Sequence, residues 1–403
     1  MALGRSTLLL VLGAGASYDS IRAPEERLRV GNRPPMTAGL FGEGYLEQFM
    51  SRRGSARSLA ATVAAALERT GGSAFEETLE DLYRTARGNR NLERGFTALR
   101  FYLRDLFKAA TFEWPSQVGG VTNHQWLVRA VEAWRGSVDG YVVWVTFNYD
   151  GLLDSALEDF YSYDLGNLGT DDPHLQAYVA HPDWALVKLH GSHDWARRTG
   201  VLAEDVRSPS DDYGAYLKLV AEWDAESDPP TAETRFRRVS GLVPDGDAEL
   251  WVPALMAPLA TKSDFECPPA HRSHFEARLP DVDLIFTVGW SAQDAHFLAT
   301  LDKSRINPPD VWAVSRHFAS ALEVAQRVGN ACGPFEPSER ARRGPGHLHN
   351  RNGLEAKGFS ALVLEQSDFA GFLTKIVGTA RERREQMLPW LHRHDIATSA
   401  DAG

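Results

Sequence analysis

Hydrophobic positions in this chain gather into short unbroken runs, set apart by long amphipathic or polar stretches. The runs Leu8 to Leu12, Tyr141 to Phe147, Ala185 to Leu189, Leu284 to Val288, Val311 to Val314 and Ala361 to Leu364 are rich in β-branched and aromatic residues and do not alternate with polar ones. A strand with one wet face alternates, whereas a strand covered on both faces does not. These runs therefore predict a parallel sheet covered by helices, an α/β architecture.

Between the first two predicted strands lie about 130 residues, far more than the roughly dozen that a parallel crossover requires. Glu93 to Ala110 places Phe96, Leu99, Leu103, Leu106 and Phe107 at spacings of three and four, and Ser58 to Arg69 is rich in alanine. The insertion, about residues 38 to 136, is therefore expected to be a helical module over the ligand-binding edge of the sheet. Phe41, Tyr45 and Phe49 share helical spacing too, which suits core packing better than a pocket wall. Gly200 to Ala248 is polar, with turn-like clusters at Ser208 to Asp212 and Glu226 to Pro230, and is expected to mix helix and loop. Gly344 to Gly353 reads as a turn-rich connection. Arg381 to Leu388 reads as a short helix that stops near Pro389 and is followed by a frayed tail. The expected organisation is one sheet-bearing domain over 1–380, with a C-terminal helix and tail over 381–403.

Composition narrows the setting. With 403 residues, 43% hydrophobic and 24% charged, the chain can bury a large core as one domain or two. Its two cysteines, Cys267 and Cys332, are too far apart for a CxxC unit. They build neither a disulfide framework nor a four-thiolate zinc site, which points to a reducing, cytoplasmic compartment. The opening apolar run Thr7 to Leu12 is short and ends in glycines, so it reads as a buried strand and not as a signal peptide. No other run approaches the roughly 20 apolar residues that span a bilayer, and a soluble protein is expected. A formal net charge of -11 repels phosphate backbones. The arginine clusters at Arg340 to Arg343 and Arg381 to Arg384 read as a solvated loop and a solvated helix face, so direct nucleic-acid binding is not expected.

The candidate chemistry sits where the apolar runs end. The first run opens into Gly13-Ala14-Gly15-Ala16-Ser17, small residues that admit a ligand close to the backbone and precede a helix whose amides could meet a diphosphate. A plain tight turn is the alternative: Tyr18 stands where the dehydrogenase fingerprint has its third glycine, and the ribose-binding acid is missing around Arg33 to Met36. The second run ends in Thr146-Phe147-Asn148-Tyr149-Asp150, at the edge where parallel sheets bind ligands, although Asn148 and Asp150 would also serve as helix caps. The third ends in Lys188-Leu189-His190-Gly191-Ser192, which puts a candidate base at the same edge. The fourth opens into Val288-Gly289-Trp290-Ser291-Ala292-Gln293-Asp294 before a helix. Other histidine groupings, His190 with His193 and Asp194, His271 with His274, and His392 with His394 and Asp395, have neither HExxH spacing nor cysteine support. They read as structural or surface histidines, and no metal is assigned.

In this order the four segments resemble the sirtuin family, and within it the zinc-free bacterial branch of NAD-consuming defence proteins. The family pattern is a GAGxS turn, a T-x-N-x-D segment, a histidine-glycine pair, and a late strand ending in G-x-S with an acid three residues on. Pro35-Met36-Thr37 looks like the family's proline-containing loop, and the resemblance spans about residues 6 to 315. It implies a Rossmann-like, three-layer parallel sheet with NAD along its C-terminal edge. It implies further that Gly13, Ala14, Gly15 and Ser17 hold the diphosphate, Gly289 and Ser291 the adenosine half, and Asn148 and Asp150 the nicotinamide-ribose half. His190 would face the ribose hydroxyls, with Thr146 and Asp294 completing the binding set.

The implied chemistry agrees with elementary electrostatics. Departure of nicotinamide leaves positive charge on the ribose, so fixed polar oxygens around the sugar lower the barrier. Asn148 orients ribose and water without adding charge, and an imidazole with a reference pKa near 6.5 accepts a proton at neutral pH. Deacylating sirtuins carry a zinc module with two cysteine pairs, and nothing equivalent lies between His190 and Val282. The departure favours outright hydrolysis of NAD+ to nicotinamide and ADP-ribose, in antiviral defence by abortive infection. The alternatives are an NAD or ADP-ribose sensor without turnover and an NAD-dependent protein deacylase. Such an activity needs control, and the resemblance implies a homo-oligomer, or a separately encoded HerA-type ATPase or other sensor as partner.

Overall fold

The computed structural model describes residues 4–21, 32–40, 75–86, 89–166, 172, 174–202, 230–240, 249–257, 265–303, 309–332, 358–360, 362, 368–382 and 385. Several sequence expectations lie outside these residues: the Ser58 to Arg69 helix, the aromatics Phe41, Tyr45 and Phe49, the Ser208 to Asp212 turn, the stretches Arg340 to Arg343 and Gly344 to Gly353, and the region of Pro389, His392, His394 and Asp395.

The strands are β1 (Thr7–Leu12), β2 (Tyr141–Thr146), β3 (Trp184–Lys188), β4 (Gly191–Leu202), β5 (Phe236–Arg238), β6 (Glu249–Leu255), β7 (Val282–Val288) and β8 (Asp310–Val314). Five of them form one sheet in the order β3-β2-β1-β7-β8, and every pairing in it is parallel. Counted in chain order within that sheet, the arrangement is 3-2-1-4-5, the doubly wound Rossmann order, which reverses direction between β1 and β7. Every residue of β1, β2, β3 and β7 is buried, as the non-alternating runs require, while β8 at the sheet edge is mostly half-buried.

The described α-helices include α1 (Ala14–Tyr18), α2 (Phe75–Ala86), α3 (Arg90–Gln117), α4 (Asn123–Val138), α5 (Leu152–Tyr161), α6 (Pro269–Arg278), α7 (Ala295–Lys303) and α8 (Phe318–Ala331). The long crossover from β1 to β2 carries α2, α3 and α4, so the described part of the insertion is helical. In α3 the residues Phe96, Leu99, Leu103, Leu106 and Phe107 are all buried, the stripe that their spacing predicts. Helix α4 starts with a capping box in which the Thr122 side chain and Gln125 satisfy each other's backbone amides, and it stops at Asp139 in the left-handed region, φ 48°.

Three expectations need correction. Gly200 to Ala248 is not only helix and loop, because residues 200–202 belong to β4 and 236–238 are β5, which with β6 form a second, antiparallel sheet in the order β5-β4-β6. Its arginines hid it: Arg198 and Arg237 lie over the Trp251 ring at 5.2 and 4.8 Å, and buried Arg197 meets buried Glu266 at 2.5 Å. The predicted strand Ala361 to Leu364 is not a strand at the residue described, since Leu362 is helical, as are 358–360. Phe359 and Leu362 are nonetheless buried in the main core, so the apolar content was read correctly and its period was not. Residues 369–382 and 385 are also helical, so Arg381 does not begin a helix. Among the described residues, no helix is long and apolar enough to cross a membrane.

Candidate functional site

Strand register brings the four sequence segments to one place. Leu12 pairs with both Thr146 and Val288, and Thr146 pairs with Lys188. The ladder continues one residue further, where Phe147 donates to the Leu12 carbonyl at 3.2 Å, Gly13 to that of Val288 at 3.0 Å and Leu189 to that of Thr146 at 3.2 Å. Beyond this line the chains turn away and leave a crevice at the carboxyl ends of the strands, where the strand order reverses. The crevice holds a cavity of about 380 Å³, within the range of small-molecule sites. Gly13, Ala14, Ser17, Asn148, Asp150, His190, Gly289, Ser291 and Asp294 line it, along with Pro35, Met36 and Thr37.

Gly15 and Thr146 stand behind the wall. Thr146 Oγ1 accepts the Asn148 amide at 3.1 Å and so shapes the turn after β2. Gly15 donates its amide to the Gly289 carbonyl at 2.9 Å. Protein contacts require the glycines of this turn. A Cβ at Gly13 would lie 2.6 Å from Trp290 Cα, one at Gly15 would lie 2.8 Å from Gly289 O, and one at Gly289 would lie 2.2 Å from Ala16 N. Of the turn's amides, those of Gly13, Gly15 and Ala16 bond to the carbonyls of Val288, Gly289 and Gly13.

Asn148 is oriented by the same turn. Its Nδ2 donates to the Gly13 carbonyl at 3.0 Å and to Ser17 Oγ at 2.9 Å, across 135 and 131 residues of sequence. A carbonyl only accepts, so the amide assignment is fixed, both N–H groups are used, and Oδ1 is the hydrogen-bonding atom that remains. Neighbouring Asp150 accepts the Leu152 amide at 3.2 Å at the start of α5. Burial raises its pKa above the usual carboxylate value, against the opposing pull of Lys188 and the Ser17 hydroxyl. Fully buried Lys188 donates to the Asp150 carbonyl at 2.7 Å and to Asp154 Oδ2 at 2.8 Å, tying the floor of the site to α5.

His190 sits opposite, its Nε2 at 2.8 Å from Asp294 Oδ2. The ring meets Phe147 edge-on at 4.8 Å, and Phe147 stacks on Trp290 at 5.2 Å. Gly191 adopts φ +81°, and a Cβ there would lie 1.9 Å from Ala254 O, so the residue after the histidine has to be glycine for β6 to approach. Asp294 Oδ1 accepts the Phe297 amide at 2.8 Å, the bond of a helix N-cap at the start of α7. The sequence grouped Asp294 with Gly289 and Ser291, but the structure sets it against the imidazole. Reading the sequence also missed Leu40, Phe107, Tyr149, Trp290 and His296 as cavity lining. Phe107 was visible only as one of α3's core positions.

His193 and His271 are buried core residues. Burial lowers the pKa of His193 and of His271 to about 4 in each case, and His271 Nε2 bonds the Leu175 carbonyl at 2.8 Å. Among the described residues no three His, Cys, Asp or Glu side chains are placed to share a metal ion.

No family model and no curated protein matches the chain. Solved structures similar to it include a Sir2 homologue in complex with NAD, at 12% identity over 81% of this chain and 90% of that one, with a TM-score of 0.32. Another is a Sir2 homologue with a His-to-Asn mutation in complex with ADP-ribose, at 12% identity over 94% and 93%, with a TM-score of 0.30. Superposition that loose adds nothing to the fold, which rests on strand order and register: a Rossmann-like, three-layer α/β chain with a crevice at the switch point.

Proposed function

We propose that this chain is an NAD+ glycohydrolase of the sirtuin-like type, releasing nicotinamide and ADP-ribose. The observation that carries the reading is the meeting of Asn148 and His190, from two different strands, in one cavity beside the glycine turn that follows β1. In the reaction the C1′–N bond breaks with its electron pair going to the nicotinamide nitrogen. The ribose gains positive charge, a water oxygen bonds C1′, and a proton leaves that water. Asn148, with both amide hydrogens held by Gly13 and Ser17, presents a carbonyl oxygen, the polarity a developing cation needs. His190 takes the proton. Thr146 and Gly15 act from behind the wall by holding Asn148 and Gly289 in place, while Asp150, Ser17, Ala14 and Ser291 meet the dinucleotide.

Incubating the full chain with NAD+ and quantifying free nicotinamide tests the reading. Release in equal amounts with ADP-ribose, lost in Asn148→Ala and in His190→Ala, is the expected result. Tight binding without release would replace the hydrolase by a sensor, and release only in the presence of an acyl-lysine peptide would replace it by a deacylase. We place the activity in bacterial antiviral defence, in the cytoplasm. Unregulated NAD+ loss kills the host, so the reading includes control by homo-oligomerisation or by a HerA-type ATPase or other sensor. A single monomer mass in solution, unchanged by candidate partners, would remove that part.

A further inference from the structure

We infer that Asp294 is a positioning residue for His190, fixing the imidazole in the tautomer whose lone pair lies on Nδ1, so that Nδ1 is the atom that takes the proton. The inference rests on the hydrolase reading above for the reaction, but not for the tautomer.

Asp294 is held by both oxygens. Oδ1 accepts the Phe297 amide at 2.8 Å, while the Asp294 carbonyl takes the Leu298 amide at 3.1 Å, so α7, nine residues long, sets the angle of the side chain. Oδ2 then points at His190 Nε2, 2.8 Å away, with both side chains buried. A carboxylate only accepts hydrogen bonds, so Nε2 carries the proton, and a neutral imidazole protonated there has its lone pair on Nδ1. Phe147, itself stacked on Trp290, packs edge-on against the ring at 4.8 Å. As the water oxygen bonds C1′, its proton passes to Nδ1, and the imidazolium so formed lies against the Asp294 carboxylate, which stabilises it. The same carboxylate thus caps a helix, selects a tautomer and faces the charge that the reaction creates.

The pair of roles gives a clean test, because asparagine keeps one and reverses the other. In Asp294→Asn the only carbonyl oxygen remains with the Phe297 amide, since asparagine is as good an N-cap as aspartate. The amide hydrogens then face His190, Nε2 must accept, and the proton moves to Nδ1. Expected are a thermal midpoint close to that of the unaltered chain, a KM for NAD+ within about twofold, and a kcat lower by about a hundredfold or more. Nitrogen NMR of histidine-labelled protein should show the pyrrole-type signal of His190 moving from Nε2 to Nδ1. Asp294→Ala loses cap and orientation together, so its midpoint should fall as well. A purely structural aspartate would leave the asparagine variant fully active. Unaltered kcat in Asp294→Asn, or the same His190 tautomer in both proteins, overturns the inference. If the unaltered chain releases no nicotinamide, the hydrolase reading falls alone, and the nitrogen signals still decide the tautomer.

Discussion

Gly15 gives its amide to the carbonyl of Gly289, so the turns leaving β1 and β7 are fastened to each other where the strand order reverses. Gly289 is also in the left-handed region at φ +62°, with Ala16 N where a Cβ would stand. Gly289→Ala should therefore lose stability by the about 1–3 kcal/mol of backbone strain that an alanine in such a conformation incurs, and by more as the two turns are pushed apart. Urea unfolding reads the loss directly. A midpoint equal to that of the unaltered chain would mean that the interlock does not hold the site.

Asn148 binds the Gly13 carbonyl and the Ser17 hydroxyl through the same nitrogen. Replacing that amide by a carboxylate sets an acceptor against a carbonyl oxygen, which is worse than leaving a gap. Asn148→Asp is expected to lower stability by more than Asn148→Ala, each by about 1–3 kcal/mol, and both to abolish nicotinamide release. Differential scanning calorimetry gives the order of the two variants, and the reverse order would mean that the donor assignment at Asn148 is wrong.

Beneath the site, Lys188 and Asp154 form a buried ion pair at 2.8 Å, with Tyr178 donating to the other Asp154 oxygen at 3.1 Å. Lys188→Met strands a buried carboxylate and should cost about 3–5 kcal/mol, whereas adding Asp154→Leu removes the stranded charge and should recover much of it. Chemical denaturation of the single and double variants measures the difference. A double variant no more stable than the single one would assign the loss to packing.

Acid stability follows from the buried histidines. Burial lowers His124 to about 3 and His193 and His271 to about 4, against about 6.5 in the unfolded chain. Between those values the unfolded state binds protons that the folded state refuses, so stability rises with pH across the window and is lost as pH falls from 6.5 towards 4. Asp19, Asp150 and Glu158, raised by burial, work the other way and offset part of the loss. A single residue isolates the sign. The stability of His271→Gln should change less steeply with pH over this window than that of the unaltered chain, by about 1.4 kcal/mol per pH unit. Parallel curves would rule out His271 as a contributor.

The sheet was legible in the sequence because its strands are buried on both faces and its ligand edge follows from strand direction. Runs at β1, β2, β3, β7 and β8 needed no partner information. The second sheet was not legible, because its segments are polar and carry Arg197, Arg198 and Arg237, whose guanidinium groups meet buried Glu266 or lie over the Trp251 ring, and Pro253 interrupts β6, which tolerates it as an edge strand. Within the site, side chains carried by strand ends were visible as motifs. The bond between His190 and Asp294 spans 104 residues, and no local pattern encodes it. Leu40 and Phe107 reach the cavity from the insertion, where helical spacing marks a residue as buried without saying against what.

That insertion also offers a test of binding apart from chemistry. The Tyr102 hydroxyl on α3 donates to the Leu40 carbonyl at 2.6 Å, and Leu40 lines the cavity at the end of the segment that includes Pro35, Met36 and Thr37. The far end of the segment is held separately, by Asn32 Nδ2 bonding Glu113 Oε2 at 2.6 Å and by the Arg33 guanidinium over the Tyr18 ring at 3.6 Å. Tyr102→Phe should thus free the cavity end alone and leave a buried carbonyl unsatisfied, at a cost of about 1–3 kcal/mol to local order. Asn148 and His190 belong to other segments and keep their own partners. The expected kinetic signature is a KM for NAD+ raised by about threefold to tenfold with kcat nearly unchanged, the pattern of lost uniform binding. Calorimetric titration with ADP-ribose should show the same factor. A fall in kcat at constant KM would place the segment in the transition state, and no change in either would take it out of the binding site.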